Sequence, residues 1–353
     1  MIMKDYKAHI LALYDGTKIY HGELHDHSKS GGTSDGKRPL SHWLGAMEAQ
    51  DMDFAAILDH KQVRHMFEPE WQDGVFLGGT EPGTAILDAD AEKNSMHYNM
   101  LFENAEPLME LLNAFPEFEY EGGIEGHFIY PRFTRARFTE LVEAVFDRGG
   151  FFVHPHPMQY MKANHPLEYM FREGMGLEVV YMSLDSQYTK DNYQLWKDIL
   201  ATGYRVYATA GGDKHACAHD WALTSIYATE RSNRAYIDRL RSGDFVAGSV
   251  GIKMCVGNTR MGGVTDFDGE MLVLAVGDYH KSVKDPSHSY RLDVYSDTGL
   301  CLSMPLDCTQ TEVVAIKADK DAMFYRAEVV DVTRDLIIAY GNPIWNKANK
   351  KEF

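Results

Sequence analysis

Short apolar runs alternate with amphipathic segments over about the first 245 residues of the chain. Apolar runs bounded by turn residues predict strands, and amphipathic segments predict helices. The predicted strands are Phe54–Leu58, Val75–Gly79, Tyr98–Phe102, Gly150–Val153, Leu177–Met182 and Arg205–Thr209. The predicted helices are Pro39–Gln50, Ala105–Ala114, Thr134–Arg148, Pro166–Arg172, Lys190–Thr202 and Asn233–Ser242. Such alternation is typical of an α/β fold with right-handed crossovers and a parallel sheet or barrel.

The pattern changes after residue 245. The remaining chain consists of short strand-like runs separated by Gly, Asp and Ser: Glu270–Val276, Tyr290–Tyr295, Glu312–Lys317, Phe324–Asp331 and Leu336–Tyr340. Regularly spaced short strands without intervening helices indicate a small antiparallel β-sandwich. We therefore expect two domains, residues 1–245 and residues 246–353.

The composition is that of a soluble globular protein. Of the 353 residues, 44% are hydrophobic and 25% are charged, both ordinary fractions. The four cysteines (Cys217, Cys255, Cys301 and Cys308) form no CxxC pair, which argues against a thiolate zinc site and fits a reducing compartment. No apolar run reaches 18 residues, so we expect no membrane partner. The scattered thiols favour a cytoplasmic location.

The charge balance restricts the expected partners. The chain carries 52 acidic and 35 basic residues, a net charge of −17. Contacts with nucleic-acid phosphates need clustered Lys and Arg, so we expect no nucleic-acid polymer as a partner. The same acidic residues, together with 16 histidines, could instead hold cations.

Histidines and carboxylates stand near the ends of six predicted strands or strand-like segments. His25 and His27 lie on one face of a strand because side chains alternate, and the Gly-rich turn that ends in Ser34-Asp35-Gly36 could return a carboxylate to them. Later strands lead to further residues of these types: Asp59, His60, Glu81, His97, His154, His156, Asp213 and His215. Such ligands suit Zn, Mn or Fe(II).

The order of these motifs resembles that of the PHP (polymerase and histidinol phosphatase) superfamily, metal-dependent phosphoesterases on a distorted seven-stranded β/α barrel. The resemblance covers about residues 18–245. It rests on His25-Asp-His27-Ser, Ser34-Asp35-Gly36, Asp59-His60, Glu81, His97, His154-Pro155 and Gly212-Asp213-Lys214-His215. The C-terminal part is similar to the β-sandwich of the CehA/McbA-like branch, in the stretches Arg326-Ala-Glu-Val and Gly341-Asn342-Pro343-Ile344.

The resemblance implies two or three divalent ions, which would be Zn, Mn or Fe. It assigns the first ion to His25, His27, Glu81 and Asp213. Glu81 would bridge to a second ion held by His97 and His154, and Asp35, His60 and His215 would hold a third. Two assignments stay open. His156 would share a face with His154, so either could be the ligand, and Asp35 follows His27 by eight positions where the family usually has five.

The resemblance also implies a hydrolase that cleaves a small phosphate ester with hydroxide held at the di- or trinuclear centre. Catalytic roles fall to Glu81, Asp59 and His215, with Asp59 orienting an imidazole or the water. The cationic residues expected near the substrate are Lys61, Arg64, His156 and Lys214.

Two alternatives remain at this point. The same centre could hydrolyse a carbamate, another ester or an amide, or the metals could stabilise a binding protein without activity. The C-terminal domain could also join two copies into a homo-oligomer.

Overall fold

The computed structural model describes residues 5–86, 95–118, 131–161, 166–216 and 222–349. These ranges contain seven α-helices: α1 (Tyr6–Leu13), α2 (Leu40–Gln50), α3 (Ala105–Ala114), α4 (Arg135–Asp147), α5 (Met158–Met161), α6 (Gln187–Ala201) and α7 (Asn233–Ser242). Three of the helices begin at a hydroxyl N-cap, because Thr134, Ser186 and Ser232 each accept a backbone N–H three residues further on.

The strands of the first part are β1 (Lys18–Asp26), β2 (Phe54–Ile57), β3 (Phe76–Thr80), β4 (Gly83–Ile86), β5 (Ser95–His97), β6 (Asn99–Phe102), β7 (Arg132–Phe133), β8 (Phe151–His154), β9 (Met175–Tyr181), β10 (Val206–Gly211), β11 (Thr224–Ala228) and β12 (Phe245–Gly248). Those that follow are β13 (Val250–Val256), β14 (Thr259–Arg260), β15 (Val264–Thr265), β16 (Met271–Tyr279), β17 (Tyr290–Ser296), β18 (Gly299–Leu306), β19 (Glu312–Lys317), β20 (Phe324–Asp331), β21 (Leu336–Gly341) and β22 (Ile344–Asn346).

One large sheet organises the molecule. Its strand order is β10-β9-β8-β6-β3-β2-β1-β11-β12-β21-β20-β17-β18, with β22 and β15 attached beside β20. Pairing is parallel within β10-β9-β8 and within β3-β2-β1, whereas β6 runs antiparallel to both of its neighbours. The structure therefore confirms a mixed α/β fold, but the expectation of a sheet with only parallel pairs is wrong.

The expected seven-stranded barrel is not closed in the part of the chain that the structure describes. Strands β10 and β1 stand at the two ends of a seven-strand path and are joined only by a single bridge between Asp26 and Lys214. The first half of β1 pairs instead with β11, from Lys18 to Gly22. Because β11 occupies that edge, only the end of β1 is open to the segment after β10, where the backbone N–H of Asp213 donates to the carbonyl of His25.

The sheet continues without interruption into the C-terminal strands, because β12 pairs with β11 on one side and with β21 on the other. A second antiparallel sheet has the order β14-β13-β16-β19. One face of this second sheet, including Met254 and Leu274, belongs to the main hydrophobic core. Its other face, including Cys255 and Val273, packs against Ile10 of α1. The boundary at residue 245 and the sandwich as a separate domain stay predictions.

Many predicted elements are confirmed within a residue or two. Helices α3 and α7 and strands β19 and β20 have the predicted bounds. The helix expected at Pro166–Arg172 is wrong, because this segment contains only a short 3-10 helix, Pro166–Tyr169. Helix α1, strand β11 and the small β5-β4-β7 sheet were not among the predicted elements.

None of the helices in the described ranges combines the length and the apolarity that crossing a membrane requires.

Candidate metal centre

Glu81 lies at the centre of the predicted ligand residues. It follows β3 directly and its side chain is buried. Its Oε1 lies 2.9 Å from Nδ1 of His97 and 3.0 Å from Nε2 of His156. Its Oε2 lies 3.1 Å from Nε2 of His27 and 3.2 Å from Nε2 of His25, yet it has no hydrogen-bond partner. With Nδ1 of His60 at 3.4 Å from Oε2, one carboxylate thus faces five imidazoles.

Among the residues that the structure describes, three overlapping groups of side chains lie close enough to hold metal ions. Within each group the ligand atoms all lie within 4.8 Å of one another. The groups are His25, His27, Glu81 and Asp213; His27, Asp35, His60 and His215; and His60, Glu81 and His97. Carboxylate oxygens and imidazole nitrogens are ligands that divalent cations accept, so these groups are candidate sites for divalent metals.

Three of the imidazoles are oriented as metal-binding histidines usually are. Each has Nδ1 beside a fixed oxygen: His25 beside Oε1 of Glu178 at 3.0 Å, His60 beside the carbonyl of Glu81 at 2.8 Å, and His215 beside the carbonyl of Asp213 at 2.9 Å. When Nδ1 donates its proton to that oxygen, the lone pair of Nε2 faces the cluster.

The spacing of the acceptors also fits a cation. Nε2 of His25 and Nε2 of His27 are only 3.3 Å apart, and Oδ1 of Asp213 lies 3.1 Å from the latter. Packing electron-rich atoms this closely in a buried place is unfavourable unless protons or a metal ion lie between them. The residues present therefore fit divalent metal ions.

The carboxylates alter the proton affinity of the buried histidines. Burial alone would lower the pKa of His25, but Glu81, Asp213 and Glu178 together raise it well above its ordinary value. Burial likewise opposes the charge on His27, yet the neighbouring carboxylates of Asp213 and Glu81 raise its pKa to about 9. Since metal ligands must be deprotonated, protons compete with cations for this cluster.

Four residues beside the cluster have backbone conformations that side chains other than glycine rarely adopt. The φ angles are 52° at Lys61, 32° at His156, 67° at Met182 and 51° at Asp213. These residues stand just beyond the ends of β2, β8, β9 and β10. Unfavourable backbone conformations of this kind concentrate at functional sites, which marks this edge of the sheet.

His154 and His156 have different surroundings. Nδ1 of His154 lies 2.8 Å from the Tyr160 hydroxyl and Nε2 lies 2.6 Å from the carbonyl of Tyr169, so both ring nitrogens face away from the cluster. Burial lowers the pKa of His154 to about 3. His156 instead contacts Glu81 through Nε2. The structure brings His156 to the cluster and leaves His154 outside it.

The loop after β1 does return Asp35 to the cluster. Oδ1 of Asp35 lies 2.9 Å from Nε2 of His215 and 3.5 Å from Nε2 of His60. The longer spacing is absorbed at Gly31 and Gly32, where φ is 77° and 64°. Both values lie in the left-handed region that glycine adopts without strain.

Asp59 holds this loop rather than an imidazole of the cluster. It is fully buried and accepts hydrogen bonds from the backbone N–H of Ser28 at 2.6 Å, from the hydroxyl of Ser28 at 2.7 Å and from the hydroxyl of Ser30. Its Oδ2 also lies 3.3 Å from Nδ1 of His65. Burial raises the pKa of Asp59, but His65 and the two serines outweigh it and lower the value to about 2.

The cationic residues expected near substrate occupy different places. Lys214 is buried, and its ammonium group pairs with Glu23. Lys61 is half-buried, and burial lowers the pKa of its amine. Arg64 is exposed, and its guanidinium lies so close to Gly32 that a Cβ there would come within 3.1 Å of Nη1.

Two further side chains reach the site although the sequence analysis did not assign them to it, namely Glu178 and Tyr181. Oε2 of Glu178 accepts the backbone N–H of His156 at 2.7 Å, while its Oε1 faces His25. The Tyr181 hydroxyl donates to Oδ2 of Asp213 at 2.9 Å. The available signal for Glu178 was a lone carboxylate within a strand that is otherwise apolar and buried.

Comparison with known proteins identifies neither a protein family nor a curated protein that matches the chain. Among solved structures, the chain is similar to a protein from Bifidobacterium adolescentis assigned as a metal-dependent phosphoesterase, with 15% identity, a TM-score of 0.36, and coverage of 55% of this chain and 87% of that one. It is also similar to endonuclease Q from Pyrococcus furiosus, with 11% identity and a TM-score of 0.41.

A structure of endonuclease Q with a 27-mer duplex that carries an abasic lesion matches with 12% identity and a TM-score of 0.43. The matches cover 64% of this chain and span 56% and 57% of the two endonuclease chains. The sequence-based exclusion of nucleic-acid polymers as partners is therefore wrong: proteins similar in structure include an enzyme that acts on DNA.

Proposed function

We propose that this protein is a PHP-like, metal-dependent phosphoesterase that binds two or three divalent ions around Glu81. The observation that carries the proposal is one buried carboxylate, Glu81, that two ligand groups share and whose Oε2 has no hydrogen-bond partner. The third group overlaps with these two through His27 and His60. The proposed ligands are His25, His27, Asp35, His60, Glu81, His97, His156, Asp213 and His215. His156 takes the place that the resemblance implied for His154.

Divalent ions held there would activate water and offset negative charge on the phosphoryl oxygens. The protein's own part is to keep the ligands in place. Glu178 fixes the tautomer of His25, Tyr181 holds the carboxylate of Asp213, and Asp59 anchors the loop that returns Asp35. Phosphoryl transfer depends chiefly on such positioning and on electrostatic stabilisation, so no protein nucleophile is required.

The substrate class is a phosphate ester, either a monoester or a diester, including the diesters of nucleic acids. The more exposed members of the ligand set are Asp35, His97 and His215, whereas His25, His27 and Glu81 are buried. The phosphate is therefore expected to approach from the side of Asp35, His97 and His215.

Metal content and hydrolysis measured on the same preparations test this function. We expect two or three ions per chain by mass spectrometry, and turnover of at least one member of a panel of phosphomonoesters, phosphodiesters and oligonucleotides. Glu81→Gln should lose metal and reduce kcat/KM by at least about 100-fold, the upper range for losing even a supporting partner of a ligand. Glu143→Gln, at a partly exposed residue paired with Arg172, serves as the control.

Two results would overturn the proposal. One is a wild-type protein with less than one ion per chain after reconstitution with Zn²⁺, Mn²⁺ and Fe²⁺. The other is a Glu81→Gln variant with unchanged metal content and turnover. If the protein hydrolyses carbamate or aryl esters but no phosphate ester, its function is that of the alternative, a carbamate or ester hydrolase.

A further inference from the structure

A series of aromatic rings leads from the solvent to the candidate metal centre along the end of β9. Tyr188, in the first turn of α6, is 47% exposed, and its ring centroid lies 5.6 Å from that of Tyr181. The Tyr181 ring lies 5.4 Å from the imidazole of His156, and its hydroxyl donates to Asp213. Because His156 and Asp213 both face the ligand cluster, the rings are continuous from the surface to the cluster.

Met182 adds an exposed apolar side chain at the same edge. It is 46% exposed and its φ is 67°. Its backbone N–H donates to the carbonyl of Gly211 at 3.3 Å, which ties it to the end of β10, two residues before Asp213. Single exposed apolar side chains are common on proteins, but Met182 and Tyr188 stand within six residues of each other beside the ligands. We refer to these two exposed side chains, at the end of β9 and the start of α6, as the apolar rim.

The rim is held in place by the cap of α6. The Ser186 hydroxyl donates to the carbonyl of Tyr181 at 2.7 Å and accepts the backbone N–H of Thr189 at 3.0 Å. The start of the helix is therefore joined to the end of β9. A surface fixed in this way loses little conformational freedom when a ligand contacts it.

We propose that Tyr188 and Met182 bind an aromatic ring in the alcohol portion of the ester whose phosphate lies at the metal-binding residues. This inference rests on the proposed phosphoesterase function. A ring close to phosphorus would contact this rim from the side of Tyr181, and a ring further out would lie directly against Tyr188. A nucleoside and an aryl alcohol both carry such a ring, and its distance from the phosphate distinguishes the two sources.

Binding of phosphonates to the Mn²⁺-loaded protein tests the inference without turnover. Phenylphosphonate and 3-phenylpropylphosphonate are compared by calorimetry with methylphosphonate and propylphosphonate, which lack the ring. We expect at least one aryl compound to bind about tenfold more tightly than its alkyl counterpart, the effect of one aromatic contact with its buried area. Preference for phenylphosphonate would favour an aryl ester, and preference for the longer compound would favour a nucleoside-like ester.

The variants locate the ring. Tyr188→Ala and Met182→Ala should remove most of the aryl preference, whereas Tyr188→Phe should keep it. Leu300→Ala, at a residue that is 56% exposed in β18 of the C-terminal part, should also keep it. Equal affinity for aryl and alkyl compounds in the wild type, or an aryl preference unchanged by combining Tyr188→Ala with Met182→Ala, would overturn the inference.

Failure of this inference can be told apart from failure of the proposed function. If the wild type hydrolyses alkyl and aryl phosphates equally well and binds the phosphonates without preference, only the ring site is wrong. If it binds aryl phosphonates selectively but cleaves no phosphate ester, the ring site stands and the phosphoesterase function is wrong.

Discussion

Replacing Glu178 with glutamine tests whether the buried carboxylate behind His25 tunes the proposed metal centre. Oε1 of Glu178 lies 3.0 Å from Nδ1 of His25, and Oε2 accepts the backbone N–H of His156 at 2.7 Å. Glutamine has nearly the same shape but only one acceptor oxygen, since its amide nitrogen donates. The variant can therefore keep only one of these two hydrogen bonds.

The structure sets the size of the effect. If the amide oxygen stays with His25, the buried N–H of His156 loses its acceptor, which costs about 1–3 kcal/mol. If the amide turns round, Nδ1–H of His25 faces another donor. In both arrangements His25 loses the negative charge behind it, and such partners of ligands change metal affinity by about 10–100-fold, or about 1.4–2.8 kcal/mol.

The assay combines metal affinity with stability. Competition with a chromophoric chelator measures the dissociation constant of the tightest ion, which we expect to rise about 10–100-fold in Glu178→Gln. Urea unfolding of the metal-free protein measures the free energy of unfolding, which we expect to fall by about 1–3 kcal/mol. Glu328→Gln is the matched control, because Glu328 is equally buried but pairs with Arg326 away from the cluster.

One result separates a tuning role from a structural one. The control should lose stability while keeping its metal affinity. If Glu178→Gln behaves in the same way, with a metal affinity within a factor of about two of the wild type, Glu178 supports the fold only. The proposal that Glu178 prepares His25 for metal binding would then be refuted.

Two further predictions concern buried histidines. His156→Ala should lower the metal content per chain, whereas His154→Phe should leave it unchanged. His154→Phe should also cost about 1–3 kcal/mol of stability, because the hydrogen bonds to Tyr160 and Tyr169 are lost. Metal content is measured by mass spectrometry, and metal loss in His154→Phe alone would show that His154 is the ligand and His156 is not. Burial and the neighbouring His280 lower the pKa of His21 to about 3. When the pH falls below the ordinary pKa of 6.5, His21 therefore binds a proton in the unfolded chain but stays neutral in the folded chain. Stability conferred by neutral His21 is complete above pH 6.5 and should fall by about 2 kcal/mol by pH 5; His21→Gln should flatten this slope in urea titrations, and an unchanged slope would show that other groups cause it.

Local patterns predicted much of the strand and helix content. The apolar runs before Asp59, Glu81 and Asp213 are strands in the structure, and the residues after them meet because those strands end near the same place. The alternation rule placed His25 and His27 on one face, and their Nε2 atoms are 3.3 Å apart. The alternation of side chains along a strand and the position of a residue relative to the strand end were sufficient for these predictions.

Other features depend on neighbours distant in the chain and leave no local signal. His154 ends β8, but its ring is taken up by Tyr160 and Tyr169, and the positive φ of His156 returns the later histidine to Glu81. Whether the barrel closes depends on which strand, β10 or β11, pairs with the edge of β1. Both are short apolar strands, so the local sequence does not distinguish them. Such choices are decided by tertiary packing, which overrides local propensity.

The position of α1 bears on how the chain folds during synthesis. In the described structure this helix packs on the face of β13 and β16 that carries Cys255 and Val273, and the hydroxyl of Tyr14, just after the helix, donates to Asp244. The ribosome completes these partners more than two hundred residues after α1 has emerged. Contacts so distant along the chain form slowly, so in a nascent chain Ile10 and Tyr14 would stay without these partners until β13 and β16 have been synthesised.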